Sequence, residues 1–190
     1  MQTLIIVAHP DLSLSLANKL LLQKLDNQNE NVVIHNLYRI YPNGNINIHK
    51  EQELLESFDS ILFQFPIYWF SCPSLLKKWF DEVLTYHWAY GRNSGYKLQN
   101  KKIGLIVSTG IEREKSVGLY DVDRIILPFK LTFDFLKVDF RGFFSIYGVP
   151  SNAVKSQNGI FKLERNINNN IQKVEDQLQG YLNFVRQFNS

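Results

Sequence analysis

Residues 60–84 read SILFQFPIYWFSCPSLLKKWFDEVL. Ser60 to Phe65 is a short, nearly continuous apolar run, which fits a strand buried on both faces of a parallel sheet. Pro66 ends it. Pro73 suits the first turn of a helix over Pro73 to Leu84. There Leu75, Leu76, Trp79, Phe80, Val83 and Leu84 form one apolar stripe, with Lys77, Lys78, Asp81 and Glu82 opposite. Between strand and helix stand Tyr68, Trp69 and Phe70. An irregular backbone over Ile67 to Phe70 would present N–H groups to a ligand's carbonyls and ring nitrogens. Trp69 and Phe70 would offer flat faces to a planar heteroaromatic molecule. Any one ring alone reads better as filler above the helix, whereas three rings after a strand end in this fold favour a ligand.

The same alternation repeats outward from this unit. Apolar runs at 3–9 (TLIIVAH), 31–37 (NVVIHNL), 102–108 (KIGLIVS) and 140–147 predict further strands. Helical spacing marks 16–25 and 49–58, and again the stretch from Ile167 to Phe188. Pro42 and Gly44 make 38–48 a loop, and 85–100 is a long loop rich in rings. Asp121 to Val138 fits two periods. Leu127, Phe129, Leu131, Phe133 and Phe135 alternate, while Leu127, Leu131, Phe135 and Val138 step as on a helix; its position between strands favours helix. About five strand–helix alternations predict a doubly wound α/β domain, 1–190 as one unit. Ligands of such sheets sit beyond the carboxyl ends of the strands. The loops after His9, Phe65 and Ser108 are therefore the candidates.

The loop after His9 reads PDLSLS and leads into a helix N-terminus, a favourable place for an anion. Ser13 and Ser15 either donate to that anion or cap the helix. The loop has no glycine, so neither the dinucleotide fingerprint nor the P-loop is present. The loop after Ser108 supplies Ser108, Thr109 and Gly110 with small side chains, a pattern equally ordinary for a polar turn.

The 190 residues are 45% apolar and 21% charged with a formal charge of +3, and the basic residues are scattered, which argues against nucleic acid as a partner. The single cysteine, Cys72, permits no intramolecular disulfide and fits a reducing compartment. It lies in an apolar setting without a base beside it, so it reads as inert. His9, His35, His49 and His87 show no metal-ligand spacing. The N-terminus lacks a basic region and its apolar run is short, so a cytoplasmic protein is expected.

Four stretches together resemble the NAD(P)H:quinone oxidoreductase family: HP…SLSLAN (9–18), FQFPIYWFSCPSLLKKWFDEVL (63–84), HWAYG (87–91) and STG (108–110). The second is the most specific. HWAYG is most similar to the bacterial branch of general stress oxidoreductases and potassium-efflux ancillary flavoproteins. The resemblance implies a flavodoxin-like five-stranded parallel sheet of order 2-1-3-4-5 with helices on both faces. It implies a flavin cofactor, FMN with FAD as the alternative, and NAD(P)H as co-substrate. His9, Ser15, Leu16, Ala17 and Asn18 would hold the phosphate and ribityl end. Pro66, Ile67, Tyr68, Trp69 and Phe70 would contact the isoalloxazine, with Trp69 against the ring, and Ser108, Thr109 and Gly110 would line its other side. Trp88, Ala89 and Tyr90 would reach a substrate pocket, in this family often across a homodimer interface.

Two departures matter. The family's Thr-Thr-Gly-Gly is Ser108-Thr109-Gly110-Ile111 here, and the family's Tyr–His proton relay is not matched in EREKSVGLYD. The proton donor stays open among Tyr90, Tyr120 and solvent. The expected activity is two-electron transfer from NAD(P)H through the flavin to a quinone or similar acceptor, in ping-pong fashion. The alternative is an electron carrier or a regulatory subunit of a membrane potassium-efflux system without turnover. Carrier flavodoxins are strongly acidic and this chain is slightly basic.

Overall fold

A computed structural model describes residues 2–27, 31–92, 95–149 and 160–189, with side chains for all of these except Asn27 and residues 160–167. Five parallel strands form one sheet in the order β2-β1-β3-β4-β5: β1 Thr3–Val7, β2 Val32–Asn36, β3 Ser60–Pro66, β4 Lys102–Ser108 and β5 Asp139–Ile146. Every residue of β1 and β3 is buried, as their nearly continuous apolar runs require, Gln64 being the one amide among them. The helices are α1 Leu16–Asn27, α2 Leu37–Ile40, α3 Ile48–Glu56, α4 Ser74–Val83, α5 Val122–Ile125, α6 Leu127–Phe135 and α7 Ile160–Arg186.

Strand alternation sorts the core into two layers. Leu4, Ile6, Ile61, Phe63, Leu105 and Val107 face α3, α4 and α6, with Trp79, Phe80 and Phe133 packed on them. Ile5, Val7, Leu62 and Ile106 face α1 and α7. Gly104 packs against the rings of Phe184 and Phe188 at the carboxyl end of the chain's last helix. A Cβ there would lie 2.5 Å from the Phe188 ring and 2.9 Å from Leu62. Opposite it β5 carries an extra residue. The register jumps from Ile103 against Phe140 to Leu105 against Phe143, and Gly142 takes φ 93°.

One carboxylate is buried within the first layer. Glu51 of α3 is 1% exposed and accepts from His35 Nε2 (2.9 Å), Tyr41 Oη (2.6 Å) and Trp79 Nε1 (2.7 Å). Burial pushes its carboxyl up, but these hydrogen bonds and the neighbouring His35 outweigh burial and hold it below its usual value.

Several boundaries differ from expectation. β1 is shorter, ending at Val7, although the Ala8 N–H still donates to Gln64 O of β3 at 2.9 Å. The predicted loop 38–48 contains α2, one turn capped by the Asn36 side chain, and Asn47 caps α3 in the same way. Asp121 to Val138 is helical but broken into α5 and α6, with Pro128 in the first turn of α6. The buried stripe there is Ile126, Phe129, Phe133 and Leu136, while Leu127, Leu131 and Phe135 face outward. The last helix begins at Ile160 rather than Ile167.

Candidate functional site

The three suspected loops lie together at the carboxyl edge of the sheet, joined by hydrogen bonds. In the first, His9 is buried, and its Nδ1 accepts the Asp11 N–H at 3.1 Å. A neutral ring must then carry its proton on Nε2, which lies 3.4 Å from the Tyr68 hydroxyl of the second loop. Burial lowers the His9 pKa, which keeps the ring neutral. Ser13 is spent on Asp11, donating to Oδ1. Ser15 caps α1, its Oγ accepting from Asn18 N at 3.2 Å. Among the described residues the N–H groups of Leu16 and Ala17 have no acceptor, so the first turn of α1 keeps donors for a ligand.

The second loop is a tight turn. Tyr68 N donates to Ser71 O at 2.9 Å and Ser71 N to Tyr68 O at 3.0 Å. Trp69 and Phe70 between them take φ 48° and 59°. Two consecutive left-handed residues make a type I′ turn, which normally selects Asn or Gly. Bulky rings there cost of order 1–3 kcal/mol each, a strain typical of functional positions. Trp69 is 94% exposed and Phe70 52%, the latter against Tyr120 with ring centroids 5.8 Å apart. The expectation that the whole stretch offers free N–H groups needs correction. Ile67 N is taken by Ser108 O and Tyr68 N by Ser71 O, which leaves those of Trp69 and Phe70. Pro66 is the last residue of β3 and is buried.

The third loop extends the sheet. Thr109 N donates to Ile146 O, Val149 N to Thr109 O and Gly148 N to Ile111 O. The Thr109 hydroxyl accepts the Ile111 N–H at 3.1 Å, so Ile111, the departure from the family pattern, is held within the turn. Ser108 and Gly110 flank Thr109 at the same edge.

A buried amide chain ties these loops from beneath. Asn18 Nδ2 donates to Ser15 Oγ (3.0 Å) and Ser108 Oγ (3.1 Å), and Gln64 Nε2 to Asn18 O and Oδ1 (3.4 and 3.3 Å). The Tyr181 hydroxyl donates to Gln64 Oε1 at 3.2 Å. The Asn18 amide is thus used within the protein and supports the loop. Gln64 and Tyr181 were missed in the sequence. The only signal for Gln64 is one amide in an otherwise apolar strand, and Tyr181 stands on an ordinary apolar stripe.

Within one chain the fourth stretch is not brought to this edge. α4 carries the chain back across the sheet, and residues 85–92 and 95–100 lie at the amino edge. There Trp88 Nε1 donates to Glu56, the last residue of α3, at 2.8 Å, and Ala89 is fully buried. Tyr90 packs on Phe135 and lines a groove of about 400 Å³ between α4 and α6 that reaches Ser71. Of the two weak proton-donor candidates, Tyr120 lies by the crevice through Phe70, and Tyr90 lies at the far end of the groove. Cys72 is buried and its thiol is pushed up by burial, in keeping with an inert role. Among the described residues no helix is long and apolar enough to cross a membrane.

Comparison with known proteins gives this edge a context. A family model described as flavodoxin-like fold matches residues 1–169. The uncharacterized NAD(P)H oxidoreductase YrkL of Bacillus subtilis (strain 168) is 41% identical over 152 residues, 78% of this chain and 86% of the relative. The glutathione-regulated potassium-efflux system ancillary protein KefG of Yersinia pestis (strain Pestoides F) is 40% identical over 136 residues, 69% of this chain and 73% of the relative. The crystal structure of general stress protein 14 from Treponema denticola, in complex with FMN, aligns with a TM-score of 0.73 and 36% identity, covering 93% of this chain and 99% of that one. The sheet order, the loop cluster and the matched span agree: the chain belongs to the flavodoxin-like fold family.

Proposed function

We propose that the chain is an FMN-dependent NAD(P)H oxidoreductase that delivers two electrons to a quinone or similar small acceptor. One observation carries the reading. Three loops converge at the carboxyl edge with unspent donors at the first turn of α1 and at Trp69–Phe70. A helix N-terminus fits a phosphate. The Trp69 and Phe70 N–H groups fit the carbonyls and ring nitrogens of a flavin, and the exposed Trp69 face fits its plane. The residues present therefore fit the cofactor. Leu16 and Ala17, with Ser15 and His9, would hold the phosphate end. Ile67 to Phe70 would hold the ring and Thr109 and Gly110 its far side, while the Ser108 hydroxyl, which shares the Asn18 amide with Ser15, would lie toward the phosphate end rather than the ring. Bound FMN supplies the electron chemistry, accepting a hydride equivalent from NAD(P)H and passing two electrons on. The protein positions, stacks and excludes water. The names of the relatives, an NAD(P)H oxidoreductase and an FMN complex, support this reading.

The site reads as completed by a second copy. Trp88 to Tyr90 lie at the opposite sheet edge from their own crevice, so this segment serves a substrate pocket only in a homodimer. The outward row Leu127, Leu131 and Phe135, 48–61% exposed, supplies an apolar face beside the groove. Such a row suits an interface.

A second reading is a regulatory subunit of a potassium-efflux system without turnover, favoured by the 40% identity to KefG. One experiment separates the two. FMN is added to the purified protein, and the flavin spectrum is followed under anaerobic titration with NADH and NADPH, then with a quinone. Bleaching by the nicotinamide and recovery with the quinone supports the oxidoreductase. Bound flavin that neither nicotinamide bleaches leaves the regulator, and absence of flavin binding removes both.

A further inference from the structure

The buried amide chain has a direction, set by one group that cannot change its role. The Asn18 carbonyl oxygen can only accept. Gln64 Nε2 stands 3.4 Å from it, so the Gln64 amide must turn its NH₂ toward α1 and its oxygen toward α7. There the Tyr181 hydroxyl, fully buried, donates to Gln64 Oε1. The same NH₂ also faces the Asn18 side chain, which must answer with its oxygen, at 3.3 Å. The Asn18 NH₂ is therefore driven the other way, onto Ser15 Oγ and Ser108 Oγ. An amide NH₂ has two hydrogens and no lone pair to offer. Both serine oxygens must accept from it, and Ser15 accepts the Asn18 backbone N–H as well. Each hydroxyl keeps its own hydrogen, and among the described residues neither has an acceptor for it.

We propose that Gln64 and Tyr181 are positioning residues that lock the Asn18 amide so that the Ser15 and Ser108 hydroxyls act as donors toward the phosphate end of the cofactor. This rests on the FMN reading above. Donation runs one way, from Tyr181 through Gln64 and Asn18 to two hydroxyls flanking a single nitrogen. With Asn18 reversed, both hydroxyls would turn inward to its oxygen and the crevice would lose two donors. A phosphate, which chiefly accepts, discriminates sharply between the two states. Riboflavin, which lacks the phosphate, does not.

The test has two arms. In the flavin-free protein, the Asn18 side-chain NH₂ protons should show NOEs to the β-protons of Ser15 and Ser108 and exchange slowly with solvent. In Tyr181→Phe and Gln64→Leu the exchange should quicken while the far-ultraviolet circular dichroism is kept. Contacts from that NH₂ to residue 64 instead would overturn the polarity. In the second arm, dissociation constants for FMN and riboflavin are measured by quenching of flavin fluorescence on the same variants. FMN affinity should fall about tenfold, the scale of one hydrogen bond to a charged group, with riboflavin affinity unchanged. Equal weakening of both ligands, or an unchanged ratio in folded variants, overturns the proposal. If the wild type binds neither flavin, the FMN reading fails by itself, and the first arm still decides how the amide is locked.

Discussion

Two tryptophans ten residues apart should respond to alanine in opposite ways. Trp79 is fully buried, packs edge-on against Phe63 and Phe80 with centroids 5.5 Å away, and donates its indole N–H to Glu51. Removing a buried tryptophan side chain costs about 3–5 kcal/mol through the cavity it leaves. The loss of one donor to a buried carboxylate adds about 1–3 kcal/mol. Together these cost about 4–8 kcal/mol, so against a total of about 5–15 kcal/mol Trp79→Ala should lose a large share of its stability. Trp69 is 94% exposed, and alanine there should change stability by no more than about 0.5 kcal/mol. Its ring would stack on the flavin, a contact whose removal costs about 1–3 kcal/mol by analogy with base stacking, or ten- to hundredfold in affinity. The assay is urea unfolding of the flavin-free variants by circular dichroism, with FMN dissociation constants compared at equal folded fraction. Trp69→Ala that binds FMN as tightly as the wild type would show that the ring does not face the ligand. Trp69→Ala that loses more than about 1.5 kcal/mol would show that the protein itself covers the ring.

The Glu51 carboxyl is held below its usual value in the folded state, so its contribution is present above the ordinary carboxylate pKa and is lost as pH falls through the folded one. Urea midpoints between pH 7 and 3 should therefore fall more steeply for the wild type than for Glu51→Gln, and parallel curves would refute this. Gly104→Ala places a methyl group 2.5 Å from Phe188 and should cost about 1–3 kcal/mol by thermal unfolding. A neutral effect would mean that the Phe188 ring yields easily. Leu131→Glu, at an outward position of α6, should leave a folded monomer in light scattering where the wild type should scatter as a dimer. A monomeric wild type removes the homodimer reading.

Much of this architecture was legible in the sequence for a physical reason. Strands buried on both faces must be almost wholly apolar, so β1, β3 and β4 announce themselves. The α4 stripe is equally plain because one face alone is buried. The turn at Trp69–Phe70 was legible as an anomaly, rings immediately after a proline-terminated strand. α2 was not legible, because a single turn held by the Asn36 side chain has no periodicity to detect. The α6 stripe was read one face off. Its phenylalanines at 129 and 133 and its leucines at 127 and 131 are equally apolar, and only the sheet decides which pair it covers. Gln64 and Tyr181 stand 117 residues apart, and nothing local to either shows that they meet. The free N–H groups were overcounted because a loop that ends a strand can go on donating to its neighbour, as Ile67 does to Ser108.

The reciprocal hydrogen bonds between Tyr68 and Ser71 have a kinetic meaning. A turn clamped from both sides holds the backbone of Trp69 and Phe70, with its free N–H groups, in place before any ligand arrives, so the segment has no slow rearrangement to wait for. Flavin uptake should follow a single exponential whose rate rises in proportion to flavin concentration, without a plateau. The entropy of ordering the turn is settled at folding, and each encounter begins with the backbone donors already set.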